Sequence, residues 1–174
     1  IELAYDNENI WIGTFRGLAR LSLTTGNVDT FLDDIPVDNS QVNIQNILIT
    51  DKAVYAYANS NAYTRGYIAR YDKYLKTWSN WGGQDLYNTF LYGLNEFQGD
   101  IFVYTSNMVF VASDGPDSKL SQSTEIINKF NNVTTSDNSY RHLGGYNEYS
   151  SIYRQKSIYK YNLKTKEIVK IASN

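Results

Sequence analysis

Apolar and polar residues alternate in short runs along nearly the whole chain, and no stretch of helical apolar spacing lasts longer than a turn or two. That pattern predicts strands rather than helices. The runs also recur in a fixed order. Residues 17–31 (GLARLSLTTGNVDTF) align without a gap on 67–81 (YIARYDKYLKTWSNW) and on 157–171 (SIYKYNLKTKEIVKI). All three copies read apolar, any residue, basic, apolar, polar: Leu18, Arg20, Leu21, Ser22; Ile68, Arg70, Tyr71, Asp72; Ile158, Lys160, Tyr161, Asn162. A polar turn and a second alternating strand follow, which is the pattern of an antiparallel hairpin.

A fourth copy is partial. Phe102-Val-Tyr-Thr105 followed by Val109 matches Trp11-Ile-Gly-Thr14 followed by Leu18, with Val111 at the basic position. Arg20, Arg70, Val111 and Lys160 are then equivalent, about 50, 41 and 49 residues apart, a period that suits a unit of four short strands and their turns. Within each unit the alternation places an innermost strand at 2–5, 42–49, 91–97 and 140–146, and a second strand at 10–14, 54–58, 101–105 and 149–154. Polar turns such as Asp6-Asn-Glu-Asn9, Thr50-Asp-Lys52 and Gln98-Gly-Asp100 separate the two. In the third unit the fourth strand is expected at 124–130, reached through the turn-rich 113–118. The fold these elements imply is all-β: a β-propeller region spanning 1–174, built of four-stranded antiparallel blades at approximately 1–33, 40–83, 90–130 and 140–173. A β-sandwich is the runner-up.

Residues 9–31 (NIWIGTFRGLARLSLTTGNVDTF) resemble the two-component regulator propeller repeat, whose signature is a strand reading Leu-Trp-Ile-Gly-Thr, a short turn ending Gly-Leu, and a strand ending in a polar residue before Thr-Gly. The second and fourth units keep the later half of that pattern and the third keeps the second-strand echo. The resemblance implies a periplasmic or extracellular sensor region of a hybrid two-component system, commonly seven blades to the ring. The four blades expected here would then be either part of a larger ring or a compact closure of their own. The repeated residues have a physical reading beside it. Trp11 and Phe102 would wedge between sheets, where a large buried aromatic contributes a few kcal/mol. Gly13 and Gly17 would sit where the sheet backbones crowd or where a turn needs positive φ. The repeated basic position would solvate a surface or pair with a neighbouring blade's carboxylate.

Composition narrows the function classes. The chain has 174 residues, with 16 Lys and Arg against 18 Asp and Glu for a net charge of −2. No long run of one sign provides a footprint for nucleic acid or an acidic bilayer. Sixteen Tyr, seven Phe and three Trp beside two Pro favour strands. There is no cysteine, hence no disulfide and no thiolate chemistry. No apolar run approaches a membrane span, so any membrane attachment would lie outside this sequence. Residue 1 is Ile, without a charged-then-apolar leader, so the sequence looks like an excised or mature segment.

The chemistry-bearing residues are few. His142 is the one histidine, so zinc sites would need carboxylates for almost every ligand. A Ser–His–acid triad would depend on that same histidine and has no Gly-x-Ser-x-Gly elbow. Asp33, Asp34, Asp51, Glu96, Asp100 and Glu148 lie near loops and leave open a carboxylate pair for glycoside hydrolysis. Asp6-Asn-Glu-Asn9 lacks the spacing of a calcium loop and reads as a turn. Gly82-Gly83 and Gly144-Gly145 lack the Lys-Ser/Thr of a phosphate loop. No cofactor or metal is expected.

A ligand face remains. Tyr55, Tyr57, Tyr63, Tyr67, Tyr87, Tyr92, Tyr104, Tyr146, Tyr149 and Tyr153, with Asn59, Asn61, Asn88, Asn107 and Asn147, put amphipathic rings and amides near the expected loops. Such surfaces suit polyhydroxylated ligands, although the same tyrosines would serve equally as blade packing. Residues 59–66 replace the short turn of the first unit with a longer segment, which makes Asn59, Asn61, Tyr63 and Arg65 the candidate ligand residues. The expectation is a non-enzymatic, extracytoplasmic sensor or binding module for a small molecule or glycan, or for another protein chain, with a homodimer as one form. The alternatives are a propeller hydrolase or lyase acting on polysaccharide, and a structural surface propeller.

Overall fold

In the computed structural model, the described residues are 2–31, 42–60, 66–81, 86, 91–105, 109–123, 141–146, 149–154 and 157–173. Among these residues sixteen strands form four sheets, each a meander of four consecutive antiparallel strands. The first sheet holds β1 (Glu2–Tyr5), β2 (Asn9–Thr14), β3 (Gly17–Ser22) and β4 (Val28–Phe31). The second holds β5 (Val42–Ile49), β6 (Ala53–Ser60), β7 (Gly66–Asp72) and β8 (Thr77–Trp81). The third holds β9 (Leu91–Phe97), β10 (Asp100–Thr105), β11 (Val109–Ser113) and β12 (Ser121–Gln122). The fourth holds β13 (Arg141–Tyr146), β14 (Tyr149–Arg154), β15 (Ser157–Asn162) and β16 (Ile168–Ser173). These are propeller blades, and among the described residues there is no α-helix. The fourth strand of the third sheet departs from expectation. It is the two-residue β12, which returns directly onto β11 with Ser121 opposite Val111, whereas 124–130 lie outside the described residues.

The chain divides into two compact units, residues 1–88 with 114–119, and residues 89–113 with 120–174. In each, one sheet covers the next. Cross-strand partners share a face, so Ala4, Trp11 and Arg20 lie together, as do Gly13, Leu18 and Phe31. This rear face of the first sheet packs on the front face of the second: Ile44, Ile47, Ile49, Val54, Ala56, Ala58, Ala69, Tyr71 and Trp78. In the other unit, Phe97, Phe102, Tyr104, Val109 and Val111 of the third sheet pack on Tyr159, Tyr161, Leu163 and Ile168, which lie on or beside the fourth. Trp11 is 1% exposed and its ring meets Phe31 and Tyr71 at 5.8 and 5.5 Å.

The polar residue that closes each repeated hairpin strand has a definite task. Asp72 Oδ1 accepts from the backbone N–H groups of Tyr74 and Leu75, both at 2.9 Å. Asn162 Oδ1 does the same for Lys164 and Thr165 at 2.8 and 2.9 Å, and Ser22 Oγ accepts from Thr25. Each turn then closes through a residue with positive φ: Gly26 (73°), Lys76 (57°) and Lys166 (62°).

Candidate functional site

The loop proposed for ligand contact is only bordered by the described residues. Asn61, Tyr63 and Arg65 lie outside them. Asn59 is in β6, in register with Asn43 of β5 and Gly66 of β7, so the backbone places it at the end of the second sheet beside the start of that loop. His142 is in β13 in register with Ile152. Asp33, Asp34 and Glu148 fall outside the described residues, as do Tyr87, Asn88, Asn107 and Asn147.

The structure reassigns several aromatics. Tyr55, Tyr57 and Tyr104 were ligand-face candidates, yet they are at most 1% exposed. Tyr104 lies in the core between the third and fourth sheets and Tyr55 is packed with Arg70, Asp114 and Trp81, so these rings belong to the frame. Two of the described loop carboxylates, Glu96 and Asp100, are also occupied. Glu96 Oε1 accepts from the N–H of Gly99 at 2.7 Å, and Asp100 accepts from the Ser113 hydroxyl at 3.3 Å. No group of three or more His, Cys, Asp or Glu side chains stands together among the described residues.

Asp6-Asn-Glu-Asn9 is a turn held from within. Asp6 Oδ1 accepts from the Asn9 backbone N–H at 2.8 Å and its side-chain amide at 3.0 Å, and Oδ2 accepts from Trp11 Nε1 at 2.9 Å. Burial of this carboxyl opposes its ionisation, but the donors of Trp11 and Asn9 and the charge of Lys73 outweigh that and hold it below its ordinary value.

The repeated basic residues form two aromatic-lined ion-pair centres. Arg20 pairs with Asp29 across β3 and β4, with Nε at 3.1 Å, while its guanidinium lies 5.6–5.9 Å from the rings of Trp11, Phe31 and Tyr71. Tyr71 comes from the second sheet, so this cation bridges two sheets. Arg70 occupies the same position one repeat later, opposite Tyr55 as Arg20 is opposite Trp11. It is 1% exposed. Its Nη1 meets Asp72 at 3.0 Å, its Nη2 lies 3.8 Å from Asp114, and its Nε donates to the Tyr55 hydroxyl at 3.2 Å. That hydroxyl donates in turn to Asp114 at 2.6 Å. Burial pushes the Tyr55 phenol well up, and its bond to Asp114 adds to the shift. Trp81 closes the cluster, edge-on to Tyr55 at 4.9 Å and donating to the Gly115 carbonyl at 3.1 Å. The pairing differs from the one expected with a neighbouring blade: Arg20 and Arg70 pair first with carboxylates of their own sheets, Asp29 and Asp72, Asp114 alone comes from outside the second sheet, and Arg70 is buried rather than solvated. Only Asp72, inside the repeat grammar, was a visible partner in the sequence; Asp114 carried no signal because its segment has no counterpart in the other repeats.

No protein-family model and no curated protein matches the sequence. Solved structures do. The extracellular domain of the putative one component system BT4673 from B. thetaiotaomicron matches 96% of this chain with a TM-score of 0.60 at 17% identity. That of the putative hybrid two component system BT3049 from the same organism matches 97% with a TM-score of 0.57 at 15% identity. PorZ, a bacterial surface component of the type-IX secretion system of Porphyromonas gingivalis, matches 98% with a TM-score of 0.56 at 12% identity. This chain spans only 20%, 23% and 20% of those three chains. The likeness is one of fold: the chain is built of β-propeller blades.

Proposed function

We propose that this chain is part of an extracytoplasmic, non-enzymatic sensing propeller of a signalling protein, and that it takes a small polyhydroxylated ligand of the glycan class at the loop carrying Asn59, Asn61, Tyr63 and Arg65. The observation behind this reading is the near-complete coverage of the chain by extracellular domains of putative one- and two-component systems, together with the Trp11-Ile-Gly-Thr14 repeat. Geometry adds a second support. Trp11, Phe31 and Tyr71 are committed to packing the first sheet on the second, and Arg70 to its buried cluster with Tyr55, Asp72 and Asp114, which leaves contacts with the glycan to segments that vary over this constant frame.

The test is a glycan array on the intact protein, followed by calorimetry on its best ligand with Tyr63→Ala and Arg65→Ala. Loss of binding with an unchanged melting temperature supports the loop assignment, and unchanged affinity overturns it. Turnover of any glycan in a broad panel, lost in Asp or Glu variants, would replace the sensor with a hydrolase or lyase. The likeness to a secretion-system surface component favours a second reading, a scaffold in a surface assembly, for which the same array would stay blank.

A further inference from the structure

Residues 114–119 connect β11 to β12 in sequence, yet they pack as part of the first unit. They form a strap on the second sheet, and donors from four residues of the second repeat converge on two consecutive strap residues. Asp114 Oδ1 accepts from the Tyr55 hydroxyl at 2.6 Å and faces Arg70 Nη2 at 3.8 Å. The Asp114 carbonyl accepts from Lys52 Nζ at 3.4 Å, and the Gly115 carbonyl from Trp81 Nε1 at 3.1 Å. Tyr55, Arg70 and Trp81 are buried.

The first sheet takes no such partner. Where the second sheet has Tyr55 it has Trp11, whose Nε1 donates to Asp6, and its Arg20 pairs with Asp29. Both of those carboxylates belong to the first repeat. In the second, Asp72 alone answers Arg70 from within. The cations of Lys52 and Arg70 therefore outnumber Asp72, and the Asp114 carboxylate supplies the missing charge. A carboxylate and main-chain carbonyls thus enter from outside the sheet, in the arrangement of a bound peptide. The strap has no apolar anchor: its one apolar residue, Pro116, is exposed, as are Asp117 and Lys119. Its seat rests on polar contacts, which a ligand of the same chemistry can replace one for one.

We propose that this pocket is a binding site for an acidic peptide segment, a carboxylate followed by a main-chain carbonyl, and that Asp114 and Gly115 are a tethered stand-in that such a segment displaces. With the strap seated the pocket is closed. The strap is then a built-in competitor at an effective concentration on the order of millimolar, and only a segment that outcompetes it engages Arg70 and Tyr55. The site shares no residue with the loop proposed for glycan contact, and neither assignment rests on the other.

The probe is the blocked dipeptide N-acetyl-Asp-Gly-amide, applied to the intact protein. In Asp114→Ala the carboxylate position is empty, and the dipeptide should raise the melting temperature saturably, well beyond the effect of its Asn analogue or of glucuronate. Adding Tyr55→Phe should weaken that binding about tenfold, through loss of one hydrogen bond to a charged group. No rise, or an equal rise with the Asn analogue or glucuronate, overturns the proposal. The unsubstituted protein gives a reading that needs no variant. Saturating dipeptide should lift the strap and speed tryptic cleavage after Lys119 severalfold over the Asn analogue, and an unchanged rate overturns the proposal.

Discussion

Gly13 of β2 lies directly beneath Ile44 of β5: a Cβ at position 13 would stand 2.6 Å from Ile44 Cγ2 and 3.0 Å from its Cβ. Neither of these Ile44 atoms is the far end of a flexible side chain, and Ile44 is 2% exposed in the core between the two sheets. Gly13→Ala should therefore force the sheets apart and cost about 1–3 kcal/mol. Because the tightest contact is with Ile44 Cγ2, which alanine lacks, Gly13→Ala combined with Ile44→Ala should cost less than the sum of the single changes. Chemical denaturation of the four proteins checks this, and strict additivity would show that the crowding is not at Ile44.

Arg70 offers a sharper stability test. Its guanidinium is surrounded by Tyr55, Asp72 and Asp114, and the side chains of Asp72 and Asp114 are only 14% and 6% exposed. Arg70→Ala should cost about 3–5 kcal/mol, because it leaves buried acceptors without their cation. Arg70→Lys should recover little, since an ammonium cannot reproduce the three-way fork. The equivalent Arg20 pairs with an Asp29 that is 48% exposed. Its loss to Ala should be felt mainly as lost stacking, at about 1 kcal/mol. Equal effects at the two positions in urea titrations would refute this ranking.

The hairpin turns contain a built-in control. Gly26, Lys76 and Lys166 occupy one position and all have φ between 57° and 73°, where a side chain costs roughly 1 kcal/mol and glycine does not. Lys76→Gly should raise stability by about 0.5–1 kcal/mol, and Gly26→Lys should lower it by a similar amount. Melting temperatures moving in opposite directions support the backbone account, and parallel shifts would exclude it.

These cases also show what sequence could and could not reveal. Strand identity was legible because short apolar and polar runs alternate between polar turns, even though the described residues 53–58 of β6 and 101–105 of β10 are buried on both faces. Register was legible because the Arg20 position repeats: Arg20, Arg70, Val111 and Lys160 fall opposite Trp11, Tyr55, Phe102 and Ser151. Tyrosine was the point of failure, since a residue that is both apolar and hydroxylated suits a ligand platform and an inter-sheet core equally. Tyr55 and Tyr104 are in the core because β6 and β10 are buried on both faces at residues 53–58 and 101–105, so neither face of these strands stands open to a ligand. Asp114 was not legible at all: its partnership with Arg70 depends on where a turn outside the repeat grammar comes to rest.

Acid should weaken the fold through two carboxyls with cooperative surroundings. Asp72 is held below its ordinary value of 3.8 by the N–H of Leu75, the guanidinium of Arg70 and the N–H of Tyr74. Asp6 is held below the same value because Trp11, Asn9 and Lys73 outweigh the cost of its burial. A group that ionises more readily in the folded state stabilises that state fully once pH lies above its unfolded value, and loses the contribution as pH falls through the lower folded value. Stability should accordingly be flat near neutrality from these groups and decline below about pH 4. Asp72→Asn should lower stability at pH 7 and make the acid decline shallower, with Asp6→Asn acting in the same direction through the first turn. Urea midpoints measured from pH 7 down to pH 2.5 would read both changes, and an acid limb of unaltered slope in the two variants would place the proton uptake on other carboxyls.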